Sequence, residues 1–343
     1  MSSTPVSSTT SLTFGGAFAR LGQWLRDQPA QAALLAACVG TLVWFYAFTP
    51  IWVNGSQSTL RWSWMAWNGE QLHGRLVGLI SIFLVWYHRD RLLAARKEGS
   101  ALGLVFLVLG VLLFLAGARS LQPRLALLAL PFLFYGTALF VWGKEVARIV
   151  LFPCAFLVFM IPVAALEQAT FWLQFVITHA IGVLSDLIGI KIAAVGTTLR
   201  ATDGSFNFEI AEGCSGVRSL TAMSMLTAVY VHLTQDRLWK KGVIFAASLL
   251  FSIVGNIGRL FTIILVAKFI NADLAGGIYH DYSGFIFFPV AVLAMTSFSR
   301  LLNLDWKKYF APSKPAEKPV SPDSPDSPDS PNSPKASPVS YDY

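Results

Sequence analysis

"ALGLVFLVLGVLLFLAGARSLQPRLALLALPFLFYGTALFVWGK", residues 101–144, contains two long apolar runs separated by a short polar turn. Each run is close to the roughly 20 residues that a helix needs to cross a bilayer. The segment therefore predicts a helical hairpin inside a membrane, with spans over residues 101–118 and 125–143.

The rest of the chain has the same apolar character. Of its 343 residues, 55% are hydrophobic and 13% are charged, whereas a soluble domain carries about 25% charged residues. We predict an all-α polytopic membrane protein with about eight transmembrane helices. The predicted spans are 31–50, 73–88, 101–118, 125–143, 149–166, 215–234, 242–270 and 284–303. The sequence shows no basic stripe interleaved with aromatic residues, so we expect no nucleic-acid partner.

Lysines and arginines between these spans predict the orientation, because cytoplasmic loops carry an excess of them. Basic clusters follow the second, fourth, sixth and eighth spans and precede the first. They all fall on one side if both termini are cytoplasmic. We therefore expect a multi-pass protein of the inner (cytoplasmic) membrane, in contact with the lipid bilayer.

Three regions follow from this reading of the sequence. Residues 1–30 form a polar cytoplasmic N-terminus, and residues 31–304 form the transmembrane domain. Residues 305–343 form a cytoplasmic tail with a Ser-Pro-Asp repeat, which has too few apolar residues to build a core and is predicted to be disordered. The tail is either inert or regulatory.

Segment 167–214 is the longest extracytoplasmic piece. Residues Gln168–Ile188 predict an amphipathic helix lying in the membrane interface, with a ninth span as the alternative. Ile190–Val195 and Phe206–Ile210 predict short extended segments that return the chain to the membrane.

Polar residues within the seventh span indicate a functional face, since such residues are costly in a membrane. Ser248, Ser252, Asn256 and Arg259 are spaced by four, four and three residues, so they share one side of a helix. Arg259 lies about 26 Å along the span from Gly242, toward its outer end. It either serves a reaction or pairs structurally with an acid such as Glu212 or Asp281.

Cys214 begins the sixth span at the same outer end, and its segment also contains Ser215 and Gly216. A helix N-terminus lowers the pKa of a thiol, and Arg218, one turn on, adds positive charge. His280 and Asp281 precede the eighth span. Each residue alone is more often structural than reactive. Together, a thiol, a histidine and an arginine at one end of three consecutive spans indicate acyl transfer at the outer face of the membrane.

Five segments, in order, resemble the exosortase/archaeosortase family of membrane cysteine transpeptidases. They are "LHGRLVGLIS" (72–81), "LFPCAFLVFMIPV" (151–163), "EGCSGVRSL" (212–220), "GNIGRLFTI" (255–263) and "YHDYSGFIFF" (279–288). Gly213 and Val217 replace an alanine and a leucine that are usual in the family, which leaves the recognition motif of the substrate open.

The resemblance implies that Cys214 is the nucleophile, with Arg259 and His280 as its catalytic partners. It further implies a thiol protease or transpeptidase for protein sorting. Its substrates are membrane-anchored proteins with a C-terminal signal made of a short motif, a transmembrane helix and a basic cluster. The acceptor, a nucleophile, lipid or polysaccharide, stays open, and no metal or organic cofactor is expected. Supporting or substrate-binding roles are assigned to Glu212, Ser215, Gly216, Arg218, Asn256, Asp281 and His73.

Two other functions remain as alternatives. A transporter would need polar residues at mid-span in several helices and internal repeats. A non-enzymatic scaffold of an envelope polysaccharide or export system would tolerate the loss of Cys214.

Overall fold

The computed structural model describes residues 29–52, 57–67, 73–161, 164–196, 198–209 and 216–304, with the isolated positions 16, 22–23 and 26–27. Cys214, Glu212 and Ser215 lie outside the described residues, as do the tail 305–343 and most of the N-terminus. The chain separates into two units, Met1–Leu302 and Asn303–Tyr343. The predicted disorder of the tail stays a prediction.

The first unit is mostly helical. Helix α1 (Pro29–Val43) continues as a π-helical turn through Phe48 and is followed by a small hairpin of β1 (Pro50–Trp52) and β2 (Gln57–Ser58). The next helices are α2 (Thr59–Ala66), α3 (Gly74–Tyr87), α4 (Arg89–Ala94), α5 (Leu102–Ser120), α6 (Pro123–Trp142) and α7 (Lys144–Phe156), and α7 ends in a 3-10 turn over Leu157–Met160.

The second half contains the long outer segment and the last helices. Helix α8 (Ala164–Leu187) leads into β3 (Ile192–Val195), β4 (Thr198–Ala201) and β5 (Asn207–Glu209). The remaining helices are α9 (Val217–Thr234), α10 (Leu238–Phe269), the short α11 (Ala272–Leu274) and, after a π-helical turn over Ala275–Tyr279, α12 (His280–Asn303).

Four helices in the described part of the chain are long and apolar enough to cross a membrane. They are Leu102–Ser120, Pro123–Trp142, Leu238–Phe269 and the nearly continuous Ala272–Asn303. These helices confirm a helical membrane protein and match four of the predicted spans. Shorter apolar helices cover Val39–Phe48, Gly74–Tyr87 and Trp172–Leu187. The total of eight spans, the orientation and the interfacial placement of α8 stay predictions.

The predicted span 149–166 is wrong as a single helix. Its helix starts earlier, at Lys144, and ends in the 3-10 turn at Met160, after which Ile161 is extended with φ −80° and ψ 120°. Ile161 precedes Pro162 in the sequence, and a residue before proline is pushed out of the helical region by the proline ring. Pro153, by contrast, lies inside α7, and its carbonyl accepts a hydrogen bond from Ser81 Oγ at 3.1 Å.

The extended segments form one antiparallel sheet with the strand order β3–β4–β5. Two of its strands match the predicted extended pieces, whereas the central strand β4, Thr198–Ala201, was not predicted. Ile192 pairs with Ala201, and Leu199 pairs with Phe208. The sheet packs on α8 and on the end of α10 through a cluster that includes Ile177, Ile181, Leu199, Phe206, Leu260 and Ile263.

Glycines allow α5 and α6 to pack closely. Gly103, Gly110 and Gly117 recur at every seventh residue of α5 and are all buried. A methyl group placed on Gly103 would lie 2.6 Å from Phe140 Cα and 2.7 Å from Gly136 O. Small residues at helix interfaces allow the backbones to approach closely and to gain van der Waals contact within a membrane.

The Gly103→Ala variant is therefore expected to lower the melting temperature of the detergent-solubilised protein. Alanine is normally more favourable than glycine inside a helix by about 0.5–1 kcal/mol, but overpacking a tight contact costs about 1–3 kcal/mol. Gly182→Ala in α8 is the matched control, because a methyl group there meets nothing within 4 Å. A Gly103→Ala protein as stable as the control would contradict the close packing of α5 on α6.

Candidate active site

The predicted polar face of α10 is buried along its length. Ser248 is fully buried, and Ser252 and Asn256 are nearly so, at 3% and 4% exposure. Arg259 lies further along the same face and is partly buried. The sequence pattern thus identified a helix side that faces protein, as expected for polar groups in a membrane.

Arg259 joins α10 to the start of α12. Its Nε donates a hydrogen bond to Ser283 Oγ, and its Nη2 donates one to the backbone oxygen of His280, both at 2.9 Å. Ser283 Oγ in turn donates to the same His280 oxygen at 3.0 Å. Ser283 is 1% exposed. Two nitrogens of the guanidinium are therefore held in place by α12.

The ion pairs of the described residues leave Arg259 without an acidic partner, since they join Arg89 to Asp90, Lys268 to Asp203 and His280 to Asp281. The structural alternative of a pair with Asp281 thus has no support, and Glu212 lies outside the described residues. Among the described residues, the Arg259 guanidinium donates to the neutral acceptors Ser283 Oγ and His280 O.

His280 is the first residue of α12 rather than part of a loop, so the predicted start of the last span at Gly284 is four residues too late. Its imidazole is 32% exposed, and Nδ1 lies 3.3 Å from Asp281 Oδ1. The preceding π-helical turn has a break at Gly277, whose φ and ψ are −97° and −113°. This break separates α11 from α12 and allows His280 to begin a new helix beside Arg259.

Asn256 connects this region to the start of α9. Gly216, the residue before α9, has φ +79°, and a methyl group placed on it would lie 2.7 Å from Asn256 Nδ2. A side chain at Gly216 would therefore be both strained and blocked by Asn256. Arg218, in the first turn of α9, is exposed. Cys214 precedes Gly216 by two residues in the sequence.

A second set of contacts supports Arg259 from the side of the sheet. Thr262 Oγ1 donates to Arg259 O at 2.8 Å, and Tyr279 Oη donates to Thr262 Oγ1 at 2.9 Å. Tyr279 also packs against the apolar cluster of the sheet, α8 and α10.

Lys268 near the end of α10 pairs with Asp203, in the turn before β5. The Lys268 ammonium and the Ser205 hydroxyl and amide hold the pKa of Asp203 well below its usual range.

His73 precedes α3, which packs mainly against α7 and its 3-10 turn. Trp67 covers Gly74 and donates from Nε1 to Met160 O at 2.8 Å. Cys154 is buried in α7, and the side chain of Cys38 is outside the described set. No cluster of three His, Cys, Asp or Glu residues that could hold a metal occurs among the described residues.

The sequence reasoning missed Ser283, Thr262 and Tyr279. Ser283 carried a signal, because it lies three residues after His280 and thus on the same helix face. Thr262 lies three residues after Arg259 in the same way. Their hydrogen bonds depend on how α10 and α12 are positioned against each other, which the residue spacing within one helix does not give.

The comparison with known families identifies one match. A model of the transmembrane exosortase family matches residues 62–297, which include His73, Cys214, Arg259 and His280. The chain therefore belongs to the transmembrane exosortase family. Neither a curated protein nor a solved structure matches it.

Proposed function

We propose that this protein is a membrane cysteine protease or transpeptidase that cleaves C-terminal sorting signals of exported proteins through a Cys214 thioester. The observation that carries the proposal is the bonding of the Arg259 guanidinium to the first turn of α12, where His280 is placed. The family membership and the Cys214 segment supply the nucleophile. The acceptor, and the choice between transfer and hydrolysis, are not part of the proposal.

The proposed reaction begins with transfer of the Cys214 thiol proton to the His280 imidazole. The thiolate then attacks the scissile carbonyl carbon and forms a tetrahedral oxyanion. When the C–N bond breaks, His280 returns the proton to the leaving amine, and a thioester remains on Cys214. The acceptor nucleophile, or water, attacks the thioester and regenerates the thiol.

Asp281 is proposed to orient His280. A carboxylate that accepts a hydrogen bond from Nδ1–H fixes the tautomer and leaves Nε2 for proton transfer. The 3.3 Å separation of His280 Nδ1 and Asp281 Oδ1 supports this role. Asp281 is 74% exposed, so we assign it to orientation rather than to a structural ion pair.

Arg259 is proposed to stabilise the oxyanion. Its Nε and Nη2 are engaged by Ser283 and His280 O, and the described residues give Nη1 no hydrogen-bond acceptor. A guanidinium fixed at two nitrogens can direct the third at a developing charge without reorganisation. Ser283 is then a positioning residue that acts through Arg259.

The other residues of the region are proposed to shape the site around Cys214. Asn256 packs against Gly216 and so restrains the chain that follows the nucleophile. Arg218, Glu212 and Ser215 are assigned to substrate binding or to tuning of the thiol, and His73 to shaping of the pocket. The membrane orientation proposed here places Cys214 on the extracytoplasmic side and both termini in the cytoplasm.

The proposal is tested by co-expression with a candidate substrate that has a C-terminal helix and a basic cluster. We expect the His280→Ala variant to process the substrate about 10²- to 10⁴-fold more slowly, because Cys214 loses its base and the leaving amine loses its proton donor. In the wild-type protein, hydroxylamine should release the thioester-linked adduct, which is detected as a shift on a gel and by mass spectrometry. The Asp281→Asn variant should slow processing less than His280→Ala does.

The control is His179→Ala, which changes a histidine of α8 outside the proposed site. Processing that continues at the normal rate in His280→Ala would contradict His280 as the base. A scaffold or transporter would show no substrate cleavage at all, in any variant.

A further inference from the structure

A cavity of about 1030 Å³ lies between the helices of the N-terminal half, away from Arg259 and His280. Its walls are formed by α1, α2, α3, α4, α6 and α7, and they are almost entirely apolar. They include Leu42, Leu60, Ile82, Phe134, Val150 and Leu157. The functional proposal above makes no use of this cavity.

The charged residues among the described lining are Arg89 and Lys97, and both are cations. They follow α3 closely in the chain, so they lie at the same end of the cavity, near Trp142 and Val146. Segments 89–98 and 144–148 at this end contain six cations and three acids. One acid, Glu145, accepts a hydrogen bond from the backbone of Arg96 at 2.8 Å.

Arg89 is held against the wall of the cavity. Its guanidinium carbon lies 5.0 Å from the centre of the Trp86 ring, and Nη1 donates to Trp86 O at 3.3 Å. Its contact with Asp90 is 3.9 Å long, and Asp90 is 61% exposed. A weak, exposed ion pair leaves most of the charge of Arg89 available to an anion.

The length of the cavity suits one leaflet of a bilayer. The wall from Val146 to Met160 is about 21 Å long at 1.5 Å per residue. Half of the hydrocarbon core measures about 15 Å. Acyl chains can therefore extend along this wall while a phosphate stays at Arg89 and Lys97.

We infer that this cavity binds one anionic phospholipid, with its acyl chains between the helices and its phosphate on Arg89 and Lys97. Lysine and arginine pair well with phosphate, and an anionic lipid gains net attraction at such a site. A transmembrane helix that carries the basic cluster proposed for the substrate is a poorer occupant, because that cluster would meet the two cations Arg89 and Lys97 here.

The test measures lipid retention by native mass spectrometry of the full chain, exchanged into detergent with defined lipids. We expect phosphatidylglycerol to be retained and phosphatidylcholine to be lost. The Arg89→Gln/Lys97→Gln double variant should weaken phosphatidylglycerol binding by about 30-fold, given the contribution of about 1 kcal/mol per cation. The Arg91→Gln/Arg96→Gln double variant removes the same charge from residues that do not line the cavity and should bind nearly as wild type does.

A second variant tests the cavity rather than the charge. Gly78 lines it, and a methyl group there meets nothing within 4 Å. The Gly78→Leu variant should fill the space and lower retention at least 10-fold, while Gly182→Leu, equally open but outside the cavity, should not. Equal retention of both lipids, equal loss in the two double variants, unchanged retention in Gly78→Leu, or displacement of the lipid by a hydrophobic helix would each overturn the inference.

Discussion

Substrate processing is expected to cease in the Cys214→Ala variant, with a fall in rate of at least about 10⁴-fold. No thioester can form without the sulfur, and loss of a nucleophile usually costs about as much as loss of the whole catalytic group. The measurement is the conversion of a co-expressed substrate with a C-terminal helix, followed over time by gel shift and mass spectrometry. The level of the variant in the membrane is measured in the same samples, so that loss of protein is separated from loss of activity.

Cys154→Ala is the matched control for this experiment. Cys154 is buried in α7 and lines the apolar cavity, so its replacement should leave processing near the wild-type rate. Cys214→Ser should be nearly inactive, because an alcohol is a much weaker nucleophile than a thiolate at neutral pH. If processing survives in both Cys214 variants, the protein does not act through a cysteine thioester.

The Arg259→Lys variant is expected to reduce kcat by about 10²- to 10³-fold, the usual effect of removing an oxyanion donor. Lysine keeps the charge but has a single nitrogen. It cannot bond Ser283 Oγ and His280 O and also direct a third donor at the substrate. Steady-state rates with varied substrate separate kcat from KM, and the main loss should fall on kcat because the bound substrate does not yet carry the oxyanion charge.

Three further variants make this result specific to Arg259. Arg200→Lys changes an exposed arginine of β4 and should leave kcat within about twofold, as surface substitutions generally do. Ser283→Ala keeps the guanidinium and removes one support, so kcat should fall less than in Arg259→Lys. Ser283→Thr restores a hydroxyl and should recover part of that loss. A rise in KM alone for Arg259→Lys would instead assign Arg259 to substrate binding.

Hydrophobic run length predicted much of the helical fold. The hairpin of α5 and α6 was predicted to within about two residues at each end, because its two long apolar runs are separated by Gln122 and Pro123. The prediction failed where an apolar run in the sequence contains a local break in the helix. The run around Ile161 continues through a proline in the sequence, and the helix ends there for a steric reason that hydropathy does not register. Strand β4 was missed because four residues with mixed side chains become a strand only when two neighbours pair with them.

The candidate site was predicted one helix at a time. Spacing placed Asn256 and Arg259 on one face of α10, and both face protein in the structure. The bond from Arg259 to His280 O and Ser283 required knowledge of how α12 is placed, which no pattern within either helix contains. The position of Cys214 relative to both residues stays a prediction, supported by the contact of Gly216 with Asn256.

The length of α10 bears on how water reaches the proposed reaction. Lys241 and Lys268 near its ends are about 40 Å apart along the axis, close to the thickness of a bilayer with its headgroups. Arg259 is about 14 Å from Lys268 along that axis, so in the proposed membrane orientation a peptide bond placed against it would lie below the headgroup layer. Bulk water is scarce at this depth. The balance between hydrolysis and transfer would then depend on which nucleophile enters that layer, and less on their relative reactivities in solution.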